Sequence, residues 1–104
     1  MRRGPDAATL VERRLILAAD AAGHRLSIDG AESVPWASAT FTGARHRMQL
    51  VGALSPSLLQ WLEALPEADL PVRGHLVADL ALLSAASKGD VLRATIEILT
   101  VEEG

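Results

Sequence analysis

Basic, acidic and aromatic side chains alternate with apolar ones along several segments of this sequence, and they are the residues that could do chemistry. Arginine binds carboxylates and phosphates through paired hydrogen bonds, histidine exchanges protons near neutral pH, and tryptophan stacks on planar groups. If the alternation marks β-strands, these side chains share one face of a sheet. The candidate residues for a ligand site or an interface on that face are Trp36, Arg45, Arg47, Arg73, His75, Asp79, Arg93 and Glu97.

Three interpretations of this polar face are open. It could be a solvated surface on which Arg93 pairs with Asp79 or Glu97, and such exposed pairs contribute only ~0.2–1 kcal/mol each. It could be an interface, because Arg and Trp are enriched at the centres of interfaces. It could also bind a small anionic metabolite, in which case the four arginines would orient the anion and His75 would be the acid or base.

Metal binding and a His–Asp pair are not predicted. Residues four apart on a strand are separated by about 13 Å, so His75 and Asp79 cannot touch along one strand. The three histidines, His24, His46 and His75, fall on different predicted strands and lack metal-ligand spacing. The bend predicted at Gly43 leaves open which face of the sheet His46 occupies.

Several other kinds of site are excluded or unsupported. The sequence contains no cysteine, which excludes disulfides, thiolate metal sites and cysteine nucleophiles. None of its serines lies in a G-x-S-x-G elbow, so a serine nucleophile is not predicted. Gly43 and Gly52 are isolated and do not form a phosphate-binding loop. We therefore predict no cofactor.

The charge balance argues against nucleic acid as a partner. Ten basic and thirteen acidic side chains give a net charge of −3, whereas proteins that bind nucleic acid by bulk charge are usually basic. RNA-binding sheets display several aromatic residues, and here only Trp36 qualifies. The apolar run Leu15–Ala19 is too short for a signal peptide or a membrane span. The sequence predicts a soluble, cytoplasmic protein without a membrane partner.

Two helices must position these residues. The first is predicted over 7–22, with Asp6 or Thr9 as its N-cap. The second begins with Ser55 as the N-cap and Pro56 in the first turn, and the next proline ends it. Each helix has a single apolar stripe, so both are expected to pack on the same sheet.

Four segments alternate with the period of two that is typical of strands. Their predicted ranges are 24–29, 36–51 with a bend near Gly43, 72–84 and 91–101, and Gly30–Pro35 is a loose connection. The residues predicted to face the core are Leu26, Ile28, Ala37, Ala39, Phe41, Met48, Leu50, Leu76, Ala78, Leu80, Leu82, Leu92, Ala94, Ile96 and Ile98.

The order of elements is therefore αββαββ. It predicts an α+β protein, a two-layer sandwich in which two helices cover one face of a mainly antiparallel four-stranded sheet. Residues 1–104 are expected to form a single domain with a disordered start at 1–5. The segments 7–51 and 55–101 could be two copies of one αββ unit.

The sequence favours a homo-oligomeric interaction module that uses its polar sheet face, with a second copy or another protein as the partner. The alternative is a small enzyme or binding protein for an anionic metabolite at the same arginine- and histidine-lined face. Whether the protein is an enzyme stays open at this point.

Overall fold

The computed structural model describes residues 6–103, so the predicted disordered start at 1–5 lies outside the described residues. The first helix, α1, spans Ala7–Ala21, and the Asp6 carboxylate accepts a hydrogen bond of 2.9 Å from the Thr9 N–H. This bond satisfies an N–H group that the first helical turn leaves without a partner. Of the two predicted caps, Asp6 is therefore the one used.

The second helix, α2, spans Pro56–Ala64 and begins as predicted. The Ser55 hydroxyl accepts a hydrogen bond of 3.0 Å from the Leu58 N–H, and the proline occupies the first turn, where a missing N–H costs nothing. A single turn of 3₁₀ helix follows over Leu65–Glu67. No helix in the part of the chain described is long and apolar enough to cross a membrane.

The sheet has four strands in the spatial order β1-β2-β4-β3, and every neighbouring pair is antiparallel. The strands are β1, Ser27–Ala37; β2, Thr42–Ala53; β3, His75–Lys88; and β4, Val91–Glu102. Since β4 lies between β2 and β3, those two strands run parallel, and α2 connects them across β4. The predicted α+β architecture and element order are confirmed.

One core joins the helices to the sheet. We call the helix-covered side of the sheet its inner face and the opposite side its outer face. On the inner face, β4 contributes alternate residues that are almost fully buried, as predicted, and β2 contributes Met48 and Leu50. The helices contribute Val11, Leu15, Ala19, Leu58 and Leu62.

The first hairpin differs from the prediction. Residues 30–35, expected to be a connection, lie within β1, and the chain reverses at 38–41 instead. There the Ser38 N–H donates to the Phe41 carbonyl at 2.8 Å, and the Ser38 hydroxyl accepts from the Phe41 N–H at 3.1 Å. A serine hydroxyl can close a turn in this way without glycine or proline. Phe41, predicted to face the core, is consequently exposed.

Gly30 was predicted to begin a connection and Gly43 to bend a strand, and both have other roles in the structure. Gly30 follows a register shift in β1, which is a β-bulge. Gly43 lies inside β2, where an added Cβ would collide with the Thr100 carbonyl oxygen and lie 2.8 Å from Cζ2 of Trp36. Gly43 is therefore required for the close approach of its neighbours, and no register shift occurs there.

The faces of β3 also differ from the prediction at its start. The register shifts between Val77 and Asp79, and this extra residue reverses the alternation of side chains. Leu80 and Leu82 still pack on the core, but Leu76 is 54% exposed on the outer face. The predicted outer position of His75 is wrong, because His75 lies on the inner side together with Val77.

Candidate functional sites

The outer face carries most of the predicted site residues, but its arginines already have partners. Nη2 of Arg47 lies 2.9 Å from Oε2 of Glu97, and Nε of Arg45 lies 3.8 Å from Oε1 of the same carboxylate. Arg93 pairs with Asp29 at 2.6 Å rather than with Asp79 or Glu97, the partners that the sequence suggested. Three of the four arginines proposed to orient an anion are thus engaged within the protein.

The end of the outer face near the first turn is mostly apolar. Two adjacent rows of the sheet place Val34, Trp36, Leu76, Leu99 and Val101 there beside Arg45 and Asp79, and we call the five apolar residues the apolar rows. Trp36 is half-buried, and its indole Nε1 is buried without a hydrogen-bond partner among the described residues. The exposed fractions are 62% for Val34 and 54% for Leu76.

The remaining arginine of the prediction, Arg73, lies beside a different feature. A cavity of about 530 Å³ opens between α1 and the start of β3. We call it the α1–β3 cavity. Arg14 of α1, Arg73 and His75 all line it. Gly74 makes the tight turn between Arg73 and His75 with a φ of 78°, a conformation that L-residues with a side chain rarely adopt.

The arginines of the α1–β3 cavity differ from those of the outer face, because they have no ion-pair partner among the described residues. Neither Arg14 nor Arg73 forms an ion pair with any residue in the range 6–103. The His75 Nδ1 is buried, and no described residue gives it a hydrogen bond. The carboxylates of Asp69 and Glu103 line the same cavity. The arrangement offers two guanidinium groups and two carboxylates to one ligand, while the buried Nδ1 of His75 is not exposed in the cavity.

A second polar cluster lies inside the inner face. His46 is only 1% exposed, and its Nδ1 lies 2.6 Å from the hydroxyl of Ser33 on β1. Its Nε2 lies 2.9 Å from Oγ1 of Thr100 on β4, and Thr100 in turn donates to the Ala44 carbonyl at 3.3 Å. All the polar atoms of this buried histidine are therefore satisfied, as the interior of a protein requires.

Burial lowers the pKa of His46 from its ordinary value, because the charged imidazolium loses hydration in the core. The nearby His75 lowers this pKa further, whereas the carboxylate of Asp6 at the start of α1 raises it. The neutral form of His46 is thus the one that suits the core.

The sequence alone missed three of these residues. Arg14 lies on the flank of the apolar stripe of α1, where a charged residue looks like ordinary surface. Ser33 fell in a predicted connection, and Thr100 was not assigned to the inner face. The available signal was His46 itself, since it continues the alternation of Met48 and Leu50. Within residues 6–103, no three His, Asp or Glu side chains form a group that could hold a metal ion.

No protein-family model, no curated protein and no solved structure matches this chain.

Proposed function

We propose that this protein binds a small organic anion in the α1–β3 cavity. The observation that supports this proposal is that Arg14 and Arg73 line one cavity while neither forms an ion pair with any residue in the range 6–103. An anion bound between these two guanidinium groups would give them the counter-charge that no described residue supplies in an ion pair.

The lining narrows the class of ligand. Guanidinium groups bind a carboxylate through two parallel hydrogen bonds, which makes an anionic oxygen pair the expected ligand group. Asp69 and Glu103 would repel a second strongly anionic group, but they would accept hydrogen bonds from a hydroxyl or an ammonium group. We therefore expect a hydroxy acid or an amino acid rather than a polyphosphate.

Thermal melting against a panel of hydroxy acids, amino acids, dicarboxylates and inorganic phosphate tests this proposal. A ligand at about one hundred times its Kd adds about 2.7 kcal/mol of stability. In a domain of this size that raises Tm by roughly 10–20 °C. The variants Arg14→Gln and Arg73→Gln should lose the shift. Arg93→Gln is the matched control, because Arg93 lies on the outer face, and it should keep the shift. An unshifted Tm across the panel would refute the proposal.

A second candidate function, self-association through the outer face, is favoured by the apolar rows. Exposed aliphatic side chains beside a half-buried tryptophan are typical of the centre of an interface. The outer face also carries both signs of charge, including Arg45 and Arg47 beside Glu97. Such a face can pair with a second copy of itself through a two-fold axis, which brings each charge against the opposite one.

The mass of the protein in solution, measured by light scattering over a range of concentrations, tests self-association. Leu76→Glu places a charge in the apolar rows and should leave a monomer. Leu83→Glu is the matched control, because Leu83 is exposed on the same strand but outside those rows. A wild-type protein that is monomeric at the highest concentration would eliminate this second function.

The cytoplasmic location that the sequence analysis predicted for this protein stays a prediction.

A further inference from the structure

The hydrogen bonds in the buried cluster around His46 can be assigned a donor and an acceptor each. The Thr100 hydroxyl donates its proton to the Ala44 carbonyl, so its oxygen is left to accept a hydrogen bond from Nε2–H of His46. With the proton on Nε2, Nδ1 carries a lone pair, and the hydroxyl of Ser33 must donate to it across 2.6 Å. Each donor in the series therefore has one acceptor: the series begins at the Ser33 hydroxyl and ends at the Ala44 carbonyl.

The side chains in this series differ in their exposure to solvent. His46 and Thr100 are buried to within 1% of complete burial, whereas Ser33 is exposed on the edge strand β1. A serine that donates to a histidine, which is itself held by a third group, has the arrangement of an activated nucleophile. The chain contains a second Ser–His pair, Ser57 and His24, but its atoms are 3.4 Å apart.

We propose that Ser33 is a nucleophile that accepts an acyl group from an activated ester. In this step the Ser33 oxygen attacks the ester carbonyl carbon while the proton of its hydroxyl moves to Nδ1 of His46. The bond between the carbonyl carbon and the leaving oxygen then breaks, and that oxygen takes the proton from Nδ1. Thr100 is a positioning residue, because it fixes the tautomer and the orientation of the imidazole without touching the ester.

An acyl group suits the surroundings of Ser33 better than a phosphoryl group does. Ile28, Ala31 and Ser33 follow one another on the inner side of β1, opposite Leu50, Met48 and His46 of β2. At the Ile28 end of this row, roughly 13 Å from Ser33, an open groove is lined by Ile16 and Leu17 of α1 together with Glu12 and Arg13. A butyryl chain on Ser33 is too short to reach that groove, and Ala31 is the next residue on the same side of β1. Because β1 is an edge strand, alternate backbone N–H groups along it have no strand partner and could bind the ester oxygen.

The probe is p-nitrophenyl butyrate, incubated with the full chain. Intact-mass spectrometry is expected to show one added butyryl group, peptide mapping should place it on Ser33, and one equivalent of p-nitrophenolate should be released. Ser33→Ala should abolish the burst, whereas Ser57→Ala should keep it. Ser33→Cys, which supplies a stronger nucleophile at the same position, should still be acylated. Acylation elsewhere, or an unchanged burst in Ser33→Ala, would overturn the proposal.

The role of Thr100 has its own readout. Thr100→Val removes the acceptor for Nε2–H and should slow acylation at least tenfold, and Thr100→Ser should restore it. The rate should rise with pH along a single titration whose midpoint lies below the ordinary histidine value, and the midpoint should move in Thr100→Val. The facing titratable groups, His75 and Asp6, set that midpoint together with burial. A rate that is independent of pH between 5 and 8 and equal in both Thr100 variants would contradict this role.

Discussion

Nε2 of His46 lies 2.9 Å from Oγ1 of Thr100, and this hydrogen bond links the two central strands of the sheet inside an otherwise aliphatic core. The two residues are far apart in the sequence, on strands β2 and β4. A polar pair in this position is stable only while both members keep their hydrogen bonds, because an unpaired polar group in a core costs much more than a satisfied one contributes.

The first prediction concerns the loss of that bond. Thr100→Val keeps the shape of the side chain but leaves Nε2–H of His46 without an acceptor, so the free energy of unfolding should fall by about 1–3 kcal/mol. Urea denaturation measures the change. Thr95→Val on the outer face of the same strand is the control and should change stability by less than about 0.5 kcal/mol. Equal effects of the two substitutions would show that the buried bond contributes nothing.

The second prediction concerns pH. Because the pKa of His46 is lower in the folded protein than in the unfolded chain, the unfolded chain binds the proton first as the pH falls. Stability should therefore be constant at high pH and decrease as the pH falls through the unfolded value of ~6.5 towards the lower folded value.

Denaturation at a series of pH values between 5 and 8 checks this dependence. His46→Gln should reduce the slope of stability against pH in this range. His24→Gln, at a partly exposed histidine outside the core, should retain most of it. A slope that survives in His46→Gln would assign the effect to a different group.

The third prediction concerns Gly43. Gly43→Ala introduces a Cβ that collides with the Thr100 carbonyl oxygen and crowds the Trp36 ring, so it should destabilise the fold by about 3 kcal/mol. Gly89→Ala should cost about 1 kcal/mol, since Gly89 has open space around it and only its φ of 62° is unfavourable for alanine. Thermal melting of the two variants compares them, and a Gly43→Ala protein as stable as Gly89→Ala would contradict the close approach.

The fourth prediction concerns the outer-face ion pairs. Arg47→Ala removes the 2.9 Å contact with Glu97, but both side chains are partly exposed. Water and salt screen such a pair, so the loss should be only about 0.2–1 kcal/mol and should shrink further in 1 M NaCl. A decrease of more than about 2 kcal/mol in the free energy of unfolding would contradict the description of this pair as a screened surface ion pair.

Local signals explain what the sequence could predict. Asp6 and Ser55 start the two helices by hydrogen-bonding N–H groups three residues ahead, and such signals lie entirely within a short segment. The core face of β4 is equally local, since a strand buried on one face alternates strictly. The fold class follows from these elements because two helices with single apolar stripes need one shared sheet.

The features that the sequence did not predict depend on residues distant in the chain. β1 lies at the edge of the sheet and is largely exposed, and its polar and apolar residues do not alternate strictly around Gly30 and Pro35, so the segment resembles a loop. The bulge beside Val77 moved His75 to the inner side, and a bulge has no fixed sequence signature. The α1–β3 cavity combines Arg14 with Arg73, and only the packing of the helix against the loop 68–74 brings them together.

The position of β4 also constrains the order in which the molecule can form. β4 follows the other three strands in the chain but lies between β2 and β3, so two of the three strand pairings wait for it. A ribosome releases the chain from its N-terminus, and until residues 91–102 emerge, β1 and β2 can form only a hairpin while β3 has no partner strand. Nearly all of the cooperative folding must therefore follow synthesis of residues 91–102. Before this segment emerges, the apolar faces of β2 and β3 are exposed to chaperones and to other nascent chains.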